Sequence, residues 1–331
     1  MSKTCSRRTC LGMLASGTIG LGLGTPARAQ TFPGKTIQIV VPFPAGGATD
    51  AVARLLAERM APRLGKAVIV DNKGGAAGVL GTDTVAKAPP DGHTLSVSLT
   101  TNLLINQFLF KKLPYNPQRD LALVSQIALA PIVLLVHPGV PARTGPELLR
   151  HIAANKGKLS FGSWGNGSAG HLSGAFMSQS QDAGMSHVPY KGEAPMVQDL
   201  IGGQVQMAFA SAQQAKPFVD AGRLRAIGIT GEQRMSVLPN VPTLLEQGLT
   251  DDVYRITGWV AMAAPGATPK AVVQRIADEV RAACEQPDVR ARITALGFTA
   301  VARGPEEFAA AYRKDLPVWE RLVKATGATL D

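Results

Sequence analysis

The chain alternates between short apolar runs and longer segments with helical periodicity. Runs such as IQIVV at 37–41 and IVLLV at 132–136 are apolar without alternation, which is typical of strands buried on both faces of a mostly parallel α/β sheet. The pattern predicts strands at 36–42, 67–71, 94–99, 121–127, 132–136, 159–162, 205–210, 224–230 and 259–263. It predicts helices at 48–64, 82–88, 145–154, 169–179, 195–201, 212–221, 269–285, 287–296 and 305–326.

Two glycine-rich corners follow predicted strands and lead directly into helices. One lies at 41–51, and the other lies at 161–174 with the sequence FGSWGNGSAGHLSG. Because about 300 residues are long for a single sheet, the alternation favours two lobes with one corner each. In an open α/β sheet, ligands bind beyond the carboxyl ends of strands. The sequence therefore predicts a cleft with an anion-binding rim on both walls.

The first corner contains more prolines and glycines than a plain connection needs. Pro42 and Pro44 fix φ and lack an N–H group, whereas Gly46 and Gly47 let the backbone approach a ligand closely. The first N–H groups of the following helix have no partner within the helix, so its N-terminus suits an anion. A tight corner with no further role is the alternative that this segment alone leaves open.

The first 29 residues have the features of a secretory signal. A basic start with Arg7 and Arg8 precedes a small, apolar run at 11–25, and residues 27–29 fit an A-x-A cleavage site. The arginine pair also resembles a twin-arginine export motif, with an ordinary Sec signal as the alternative. We therefore expect export to the periplasm, removal of the signal after about Ala29, and no direct membrane anchor.

Cysteine content and charge narrow the classes of protein. Cys5 and Cys10 lie in the expected signal, so Cys284 is the single cysteine of the exported chain and no internal disulfide is expected. Removal of the signal, which holds four basic and no acidic residues, lowers the formal net charge from +10 to +6. The basic residues are scattered and aromatic residues are sparse, which disfavours nucleic acid. Steering of small anions and simple solubility both explain the charge.

Enzyme-like patterns are present in the second corner. Residues 165–170 (GNGSAG) match the dinucleotide-binding pattern G-x-G-x-x-G, but no acidic residue at the end of a following strand accompanies them. A secreted serine hydrolase that uses Ser168 and His171 is our alternative interpretation. Ser168 fits more simply as the N-cap of the helix that carries His171. The five histidines lack the spacing of metal ligands, so neither a metal nor a cofactor is expected.

Polar residues without a catalytic arrangement follow several predicted strands. They are Thr49, Asp50, Thr101, Asn102, Ser163, Ser168, His171 and Tyr190. Hydroxyls, amides and helix N-termini suffice to bind a carboxylate, since a charge-assisted hydrogen bond contributes about 1.5–3 kcal/mol. Asp50 would repel such a ligand unless it pairs with Arg54 one turn later, which we favour, or accepts from a ligand amine.

Several segments resemble, in order, the periplasmic receptors of tripartite tricarboxylate transporters, often called the Bug family. They include FPGKTIQIVVPFPAGGATD, NKGGAAGVLG, FGSWGNGSAGHL, HVPYKGEAPMVQDLIGGQV and LPNVPTLLEQG, and the resemblance covers nearly all of the expected mature chain. It implies an α/β, two-lobed periplasmic-binding-protein fold of type II (Venus flytrap), in which the chain crosses twice between lobes. It also implies a small carboxylate ligand, delivered to the large and small membrane subunits of such a transporter, and no catalysis.

The resemblance implies that the two corner loops hold the carboxylate, largely through backbone groups and ordered waters. The implied contacts are Phe43, Ala45, Gly46, Gly47, Thr49, Asp50, Thr101, Asn102, Ser163, Ser168, His171 and Tyr190. The chain departs from the family at Gln206 and Ala210, where members often carry acidic residues, so selectivity for a ligand amine stays open. Trp164 either favours a bulky ligand or has a packing role.

The two implied crossings also set the expected domain boundaries. One lobe is expected to contain residues 30–129 and 257–331, and the other is expected to contain residues 130–256. The crossings are expected near 129–131 and 255–258, and we expect the lobes to close on the ligand about them.

Overall fold

The computed structural model describes residues 32–330, which form two sheets with helices packed against them. The expected signal at 1–29 lies outside the described residues. The strands are β1 (Ile37–Val41), β2 (Val68–Asn72), β3 (Thr94–Leu99), β4 (Leu121–Ala130), β5 (Val133–Val136), β6 (Ser160–Ser163), β7 (Ser186–Pro189), β8 (Met207–Ala210), β9 (Arg225–Ile229), β10 (Gly258–Pro265) and β11 (Thr299–Arg303).

The helices vary from single turns to 22 residues. They are α1 (Ala48–Leu64), α2 (Val79–Ala86), α3 (Asn106–Leu109), α4 (Pro117–Asp120), α5 (Gly145–Ala154), α6 (Ala169–Ser180), α7 (Glu193–Ile201), α8 (Ala212–Asp220), α9 (Asp252–Arg255), α10 (Lys270–Cys284), α11 (Pro287–Ala295) and α12 (Pro305–Thr326). A 3₁₀ turn at Ala76–Gly78 and a π-helical segment at Thr101–Ile105 complete the set.

The first sheet has the strand order β11-β4-β10-β3-β1-β2. Strand β1 pairs in parallel with β2 and β3, whereas β10 runs antiparallel to β3 and β4, and β11 runs antiparallel to β4. Four of the five residues of β1 are buried. Burial on both faces of the sheet explains why this run lacks the alternation of a half-exposed strand.

The second sheet has the order β7-β6-β8-β5-β9. Strand β6 pairs in parallel with β7 and β8, and β5 runs antiparallel to β8 and β9. All four residues of β5 are buried. This strand corresponds to the predicted IVLLV run, and its interior position between β8 and β9 explains its uniform apolar character.

The pairing is more mixed than uniform apolar runs indicate, and the path of the chain explains the difference. Strands β5, β10 and β11 begin beside the space between the sheets, at Ile132, Gly258 and Phe298, whereas β1, β3, β6 and β8 end there. A strand that enters from this space must run opposite to a strand that ends at it. The glycine-rich corners at the ends of β1 and β6 therefore face the same space.

Helix α12 packs against elements of both sheets. It contacts β4 of the first sheet and α6, which follows β6 of the second. The side chain of Gln179 in α6 donates to the carbonyl of Ala325 at 2.7 Å. Trp319 of α12 lies in one hydrophobic cluster with Trp259 of β10 and Phe209 of β8. One core therefore extends across both sheets, with α12 as part of it.

Most observed elements follow the predicted ones closely. Helix α2 begins three residues before the predicted start at 82, and the single-turn helices α3, α4 and α9 have no predicted counterpart. Helices α1, α5 and α12 and strand β3 have the predicted bounds. Strand β11 is an addition, because it is exposed in part and contains no apolar run. Strand β7 coincides with an extended segment that the sequence indicates at 186–190. The chain changes sheet between β4 and β5 and again between β9 and β10. The boundaries of the two lobes stay a prediction.

Candidate functional site

A cavity of about 750 Å³ lies between the two sheets and is lined by residues from both. On the first sheet's side, the lining comes from the first corner (42–50), the turn at 75–78 and the end of β3. On the opposite side, it comes from the second corner (164–169), the start of α7 and the segment after β8. Within residues 32–330 the lining contains no lysine, arginine or histidine, and its acidic members are Asp50 and Glu193.

Asp50 organises the first corner. Its buried carboxylate accepts from the N–H of Gly46 at 2.9 Å, from Arg54 at 3.0 Å and from Asn72 at 2.9 Å. The Asn72 amide also donates to the carbonyl of Phe43 at 3.2 Å. These bonds join the corner to helix α1 and strand β2. The predicted ion pair between Asp50 and Arg54 is confirmed.

The charge of Asp50 is compensated inside the corner. Burial opposes its ionisation, but hydrogen bonds from Arg54, Gly46 and Asn72 lower the pKa of this carboxyl below its usual value. A ligand in the cavity therefore meets a compensated carboxylate rather than a free anion. Gly47, the N-cap of α1, has extended backbone (φ −79°, ψ 168°), which places the N–H groups of the first helical turn beside the cavity.

The turn after β2 also bounds the cavity and is held by Asn102. Ala76 and Ala77 have φ of 47° and 52°, a conformation that costs non-glycine residues of order 1–3 kcal/mol. The Asn102 amide donates to the carbonyl of Ala77 at 2.6 Å. A Cβ atom on Gly78 would lie 2.1 Å from Asn102 Nδ2, so a glycine is needed there. The strained turn therefore depends on the buried Asn102.

Strand β3 ends at the cavity and continues into a π-helical segment, Thr101–Ile105. Such segments occur frequently at functional sites. Thr100 and Thr101 both line the cavity. The Thr100 hydroxyl accepts from the N–H of Trp259 at 2.7 Å, which joins the end of β3 to the start of β10. The two strand ends therefore form one rigid edge of the cavity.

The second corner is held by bonds to the first turn of α6. The Ser168 hydroxyl accepts from the backbone N–H of His171 at 3.2 Å and donates to the carbonyl of Gly165 at 2.7 Å. Ser168 is therefore the N-cap of α6, as predicted. The His171 ring accepts at Nδ1 from the N–H of Gly167 at 3.0 Å. This bond requires that Nδ1 carries no proton.

Two histidines stack behind the second corner. The ring centroids of His171 and His187 lie 3.9 Å apart with an interplanar angle of 11°. His187 Nε2 lies 2.7 Å from the hydroxyl of Ser163, at the end of β6. Burial lowers the pKa of His171, and burial together with the neighbouring His171 lowers the pKa of His187 to about 4. Both rings are therefore neutral near pH 7.

The geometry does not assemble a hydrolase from Ser168 and His171. The serine contacts the backbone N–H of His171 and not its ring. Ser163 does lie against the ring of His187, but its side chain is fully buried and does not line the cavity. In the described part of the chain, no carboxylate is hydrogen-bonded to either histidine. Nucleophilic catalysis needs an accessible hydroxyl and an oriented base.

The wall opposite the first corner carries an acidic residue, Glu193, at the start of α7. Its carboxylate accepts from the Ser211 hydroxyl at 2.5 Å and from the Ser211 N–H at 3.3 Å, and both residues line the cavity. Burial raises the pKa of Glu193, although the bonds from Ser211 act in the opposite direction. Ser211 follows Ala210, which is one of the two positions where an acidic residue of the family is replaced in this chain. Glu193 thus supplies a carboxylate to this wall from a neighbouring helix.

Eight of the twelve predicted contact residues line the cavity, and four lie behind it. The lining members are Phe43, Ala45, Gly46, Gly47, Thr49, Asp50, Thr101 and Ser168. The other four are Asn102, Ser163, His171 and Tyr190. The first three form hydrogen bonds to the turn at 75–78 or to the second corner, such as the bond from the Ser163 hydroxyl to the carbonyl of Gly165 at 3.0 Å. Tyr190 donates its hydroxyl to Asp199 of α7 at 2.8 Å. Direct contact of any of the twelve with a ligand stays a prediction.

Several lining residues are absent from the predicted contact set, although the sequence carries a signal for some of them. The run GGAAG after β2 has the glycine signal of the two corners and indicates the turn at 75–78 in the same way. Glu193 follows Gly192, whose φ of 109° marks another glycine corner at the start of a helix. Trp319 also lines the cavity but belongs to the last helix, and no pattern in the sequence around it predicts this position. Trp164 lines the cavity and also packs on Gly170, and its contact with a ligand stays a prediction.

Two further observations concern membranes and metals. Among the helices that the structure describes, none is long and apolar enough to cross a bilayer. Between residues 32 and 330, no group of three or more histidine, cysteine, aspartate or glutamate side chains is arranged to hold a metal ion. Cys284 is a buried free thiol, and burial raises its pKa to about 11.

Two α/β lobes around a cavity lined by strand ends are typical of periplasmic solute-binding proteins. Solved structures of such proteins are similar to this chain. MatC from Rhodopseudomonas palustris, solved with bound malate, is 33% identical, with a TM-score of 0.75 over 88% of this chain and 100% of that chain. Rpa4515 from R. palustris, solved with adipate, is 28% identical, with a TM-score of 0.79 over 90% of this chain and 99% of that chain. The predicted two-lobed fold class is confirmed.

Sequence comparison identifies the family. The chain is 37% identical over 297 residues to a UPF0065 protein in the tcbD-tcbE intergenic region of Pseudomonas sp. (strain P51), with 89% of this chain and 88% of that protein covered. The family described as tripartite tricarboxylate transporter family receptor matches residues 52–328. The chain belongs to this family, which confirms the resemblance seen in the sequence.

The histidine stack predicts a loss of stability in acid. The unfolded imidazoles take up protons near pH 6.5, whereas His187 in the folded protein resists protonation until about pH 4. The unfolded state therefore binds more protons in this window, and stability falls as the pH drops from about 6.5 towards 4. We expect a His187→Gln variant to show a shallower fall in melting temperature between pH 7 and pH 4.5. Equal slopes for parent and variant would show that the stack does not titrate in this way.

Proposed function

We propose that this protein is an extracytoplasmic solute receptor that binds a small carboxylate in the cavity between its sheets. The observation that carries the proposal is that two glycine-rich corners, at the N-termini of α1 and α6, line one cavity from opposite sheets. Membership of the receptor family, and relatives solved with malate and adipate, support this class of ligand. In this proposal the protein binds and releases its ligand without catalysis.

Backbone N–H groups, rather than a cationic side chain, recognise the ligand carboxylate. The lining has no basic residue among those described, so its donors are neutral. They include the first N–H groups of α1 and α6, the hydroxyls of Thr49 and Thr101, and the side-chain amides of Asn166, Gln213 and Gln214. The N–H of Gly46 is already bonded to Asp50, so Gly46 contributes shape rather than a donor. Asn102, Ser163, His171 and Tyr190 act by holding this surface in place.

The receptor delivers its ligand to the large and small membrane subunits of a tripartite tricarboxylate transporter. Its family membership supports this assignment. Residues 1–29 direct export and are removed after about Ala29, so that the mature protein lies in the periplasm. The signal-like sequence of this segment, with its basic start and apolar run, supports the proposed location.

The two lobes comprise residues 30–129 with 257–331, and residues 130–256. Strand membership supports this division, because β1–β4, β10 and β11 form one sheet and β5–β9 form the other. Helix α12 belongs to the first lobe by sequence but also packs against α6. Closure of the lobes therefore involves a small shift of α12 as well as rotation about the two crossings.

A thermal-shift screen of carboxylates tests the proposed function. A ligand at 100 times its Kd adds about 2.7 kcal/mol to the free energy of unfolding, so a specific carboxylate should raise the melting temperature in a saturable way. The panel includes di- and tricarboxylates, amino acids and aromatic acids. No shift with any of them would contradict the proposal. Saturable ester hydrolysis that disappears in Ser168→Ala would favour the hydrolase instead.

Substitution of Gly46 tests whether the first corner contacts the ligand. Gly46 has φ of 87° and open space where a Cβ atom would lie, and Gly65, at the end of α1, has φ of 65° and equally open space. Gly46→Ala and Gly65→Ala should therefore carry a similar strain of about 1–2 kcal/mol. We expect only Gly46→Ala to weaken binding of the best carboxylate from the screen, by about tenfold or more, in calorimetric titrations.

Gly47 provides a version of this test without backbone strain. Its φ of −79° suits any residue, and the nearest atom to an added Cβ would be Pro44 O at 3.9 Å. Gly47→Val should therefore fold normally and still lose affinity, since its side chain occupies space at the cavity. Normal affinity in both Gly46→Ala and Gly47→Val would mean that the corner is only a structural turn.

Scattering tests the proposed closure. Binding of the best carboxylate should reduce the radius of gyration, because the lobes rotate together about 129–131 and 255–258. Gly47→Val, at the same ligand concentration, should keep the radius of the free protein. An unchanged radius for the parent at saturating ligand would show that the receptor binds without closing.

A further inference from the structure

The two carboxylates that line the cavity differ in how their charge is compensated. Asp50 receives hydrogen bonds from Arg54, Asn72 and a backbone N–H, so its charge is neutralised within the first corner. Glu193 receives bonds from Ser211 alone, and among the described residues no basic side chain forms an ion pair with it. The wall of the second lobe therefore presents a carboxylate without a cationic partner.

Burial raises the pKa of Glu193, but two features of its surroundings act in the opposite direction and stabilise the ionised carboxylate. Both of its oxygens already accept from Ser211, through the hydroxyl and the backbone N–H. Glu193 is also the first residue of the nine-residue helix α7, where the helix dipole favours a negative charge. A protonated carboxyl would lose part of this stabilisation. A cationic group in the cavity would pair with the Glu193 carboxylate and offset its burial, because burial of an unpaired charge is costly.

We infer that Glu193 binds a cationic nitrogen of the ligand, so that the ligand is an amino carboxylate with an apolar body. The inference rests on the proposed function, since it assumes that the cavity holds a carboxylate at the glycine-rich corners. Glu193 is then a specificity residue: it selects ligands by the group that lies at the second wall. A charge-assisted hydrogen bond of this kind is among the stronger polar contacts that proteins make.

The remaining lining residues indicate which kind of group the rest of the ligand carries. Phe43, Trp164, Ile132, Phe298 and Leu99 contribute apolar surface to the same cavity. Such surface favours an aromatic or branched aliphatic group over a short polar chain. The ligand therefore combines a carboxylate, a protonated amine and a hydrophobic part.

The charge of Glu193 and the lack of basic residues in the described lining disfavour tricarboxylates. Within the part of the chain that the structure describes, the lining offers no lysine, arginine or histidine to a second or third carboxylate. Such a group near Glu193 would meet a like charge, which costs affinity. We therefore expect citrate to bind much more weakly than an amino carboxylate.

Matched pairs of ligands test the inference by calorimetric titration. The pairs are L-phenylalanine with 3-phenylpropanoate, L-leucine with 4-methylpentanoate, and 4-(aminomethyl)benzoate with 4-methylbenzoate, with citrate as a further probe. The parent should bind the amine member of at least one pair about tenfold or more tightly than its amine-free partner. In Glu193→Gln this ratio should fall close to 1. Asp220→Asn removes one exposed negative charge from the same lobe and should keep the ratio of the parent.

The outcomes separate this inference from the proposed function. Binding of carboxylates by the parent without preference for the amine members would overturn the role of Glu193 and leave the receptor function intact. An amine preference that survives in Glu193→Gln, with circular dichroism of the variant unchanged, would also overturn it. Failure of the parent to bind any carboxylate, in these pairs or in the wider panel, would contradict the receptor function and the inference together.

Discussion

The hydrogen-bonded carboxylate of Asp50 is the interaction on which the first corner, at the edge of the cavity, depends. It binds the N–H of Gly46 and the side chains of Arg54 and Asn72, and so connects a loop, a helix and a strand. An acidic residue beside an anion site is unfavourable unless its charge is compensated, and here three donors compensate it. The acid is therefore part of the scaffold, and the N–H groups at the start of α1 stay available at the cavity.

Both walls follow the same principle of internal support. The second corner is fixed by the Ser168 cap and by the bond from Gly167 to the His171 ring, and the turn at 75–78 is fixed by Asn102. None of these bonds needs a ligand. A surface organised in advance loses little conformational freedom on binding, which favours affinity for a small ligand with few contacts. Glu193 differs from this pattern because its charge has no cationic partner within the described chain.

Much of the fold follows from local sequence, and parts of the site do not. The bounds of α1, α5 and α12 are predictable because their apolar periods are regular and their ends carry glycine or proline. The direction of β5 and β10 is not predictable from an apolar run, since it depends on which side of the cavity the chain enters. Asn102 illustrates the limit for the site: its position after a strand indicates function, but its partner, Ala77, lies 25 residues away on a separate turn.

The central claim is that one carboxylate ligand is held between the two glycine-rich corners by backbone donors. A crystal structure of the complex with the tightest-binding carboxylate tests it most directly. The account predicts ligand oxygens within hydrogen-bond distance of N–H groups at the start of α1, with further contacts from the second corner and the start of α7. A ligand carboxylate paired with a lysine or arginine, or bound outside the cavity between the sheets, would contradict the account.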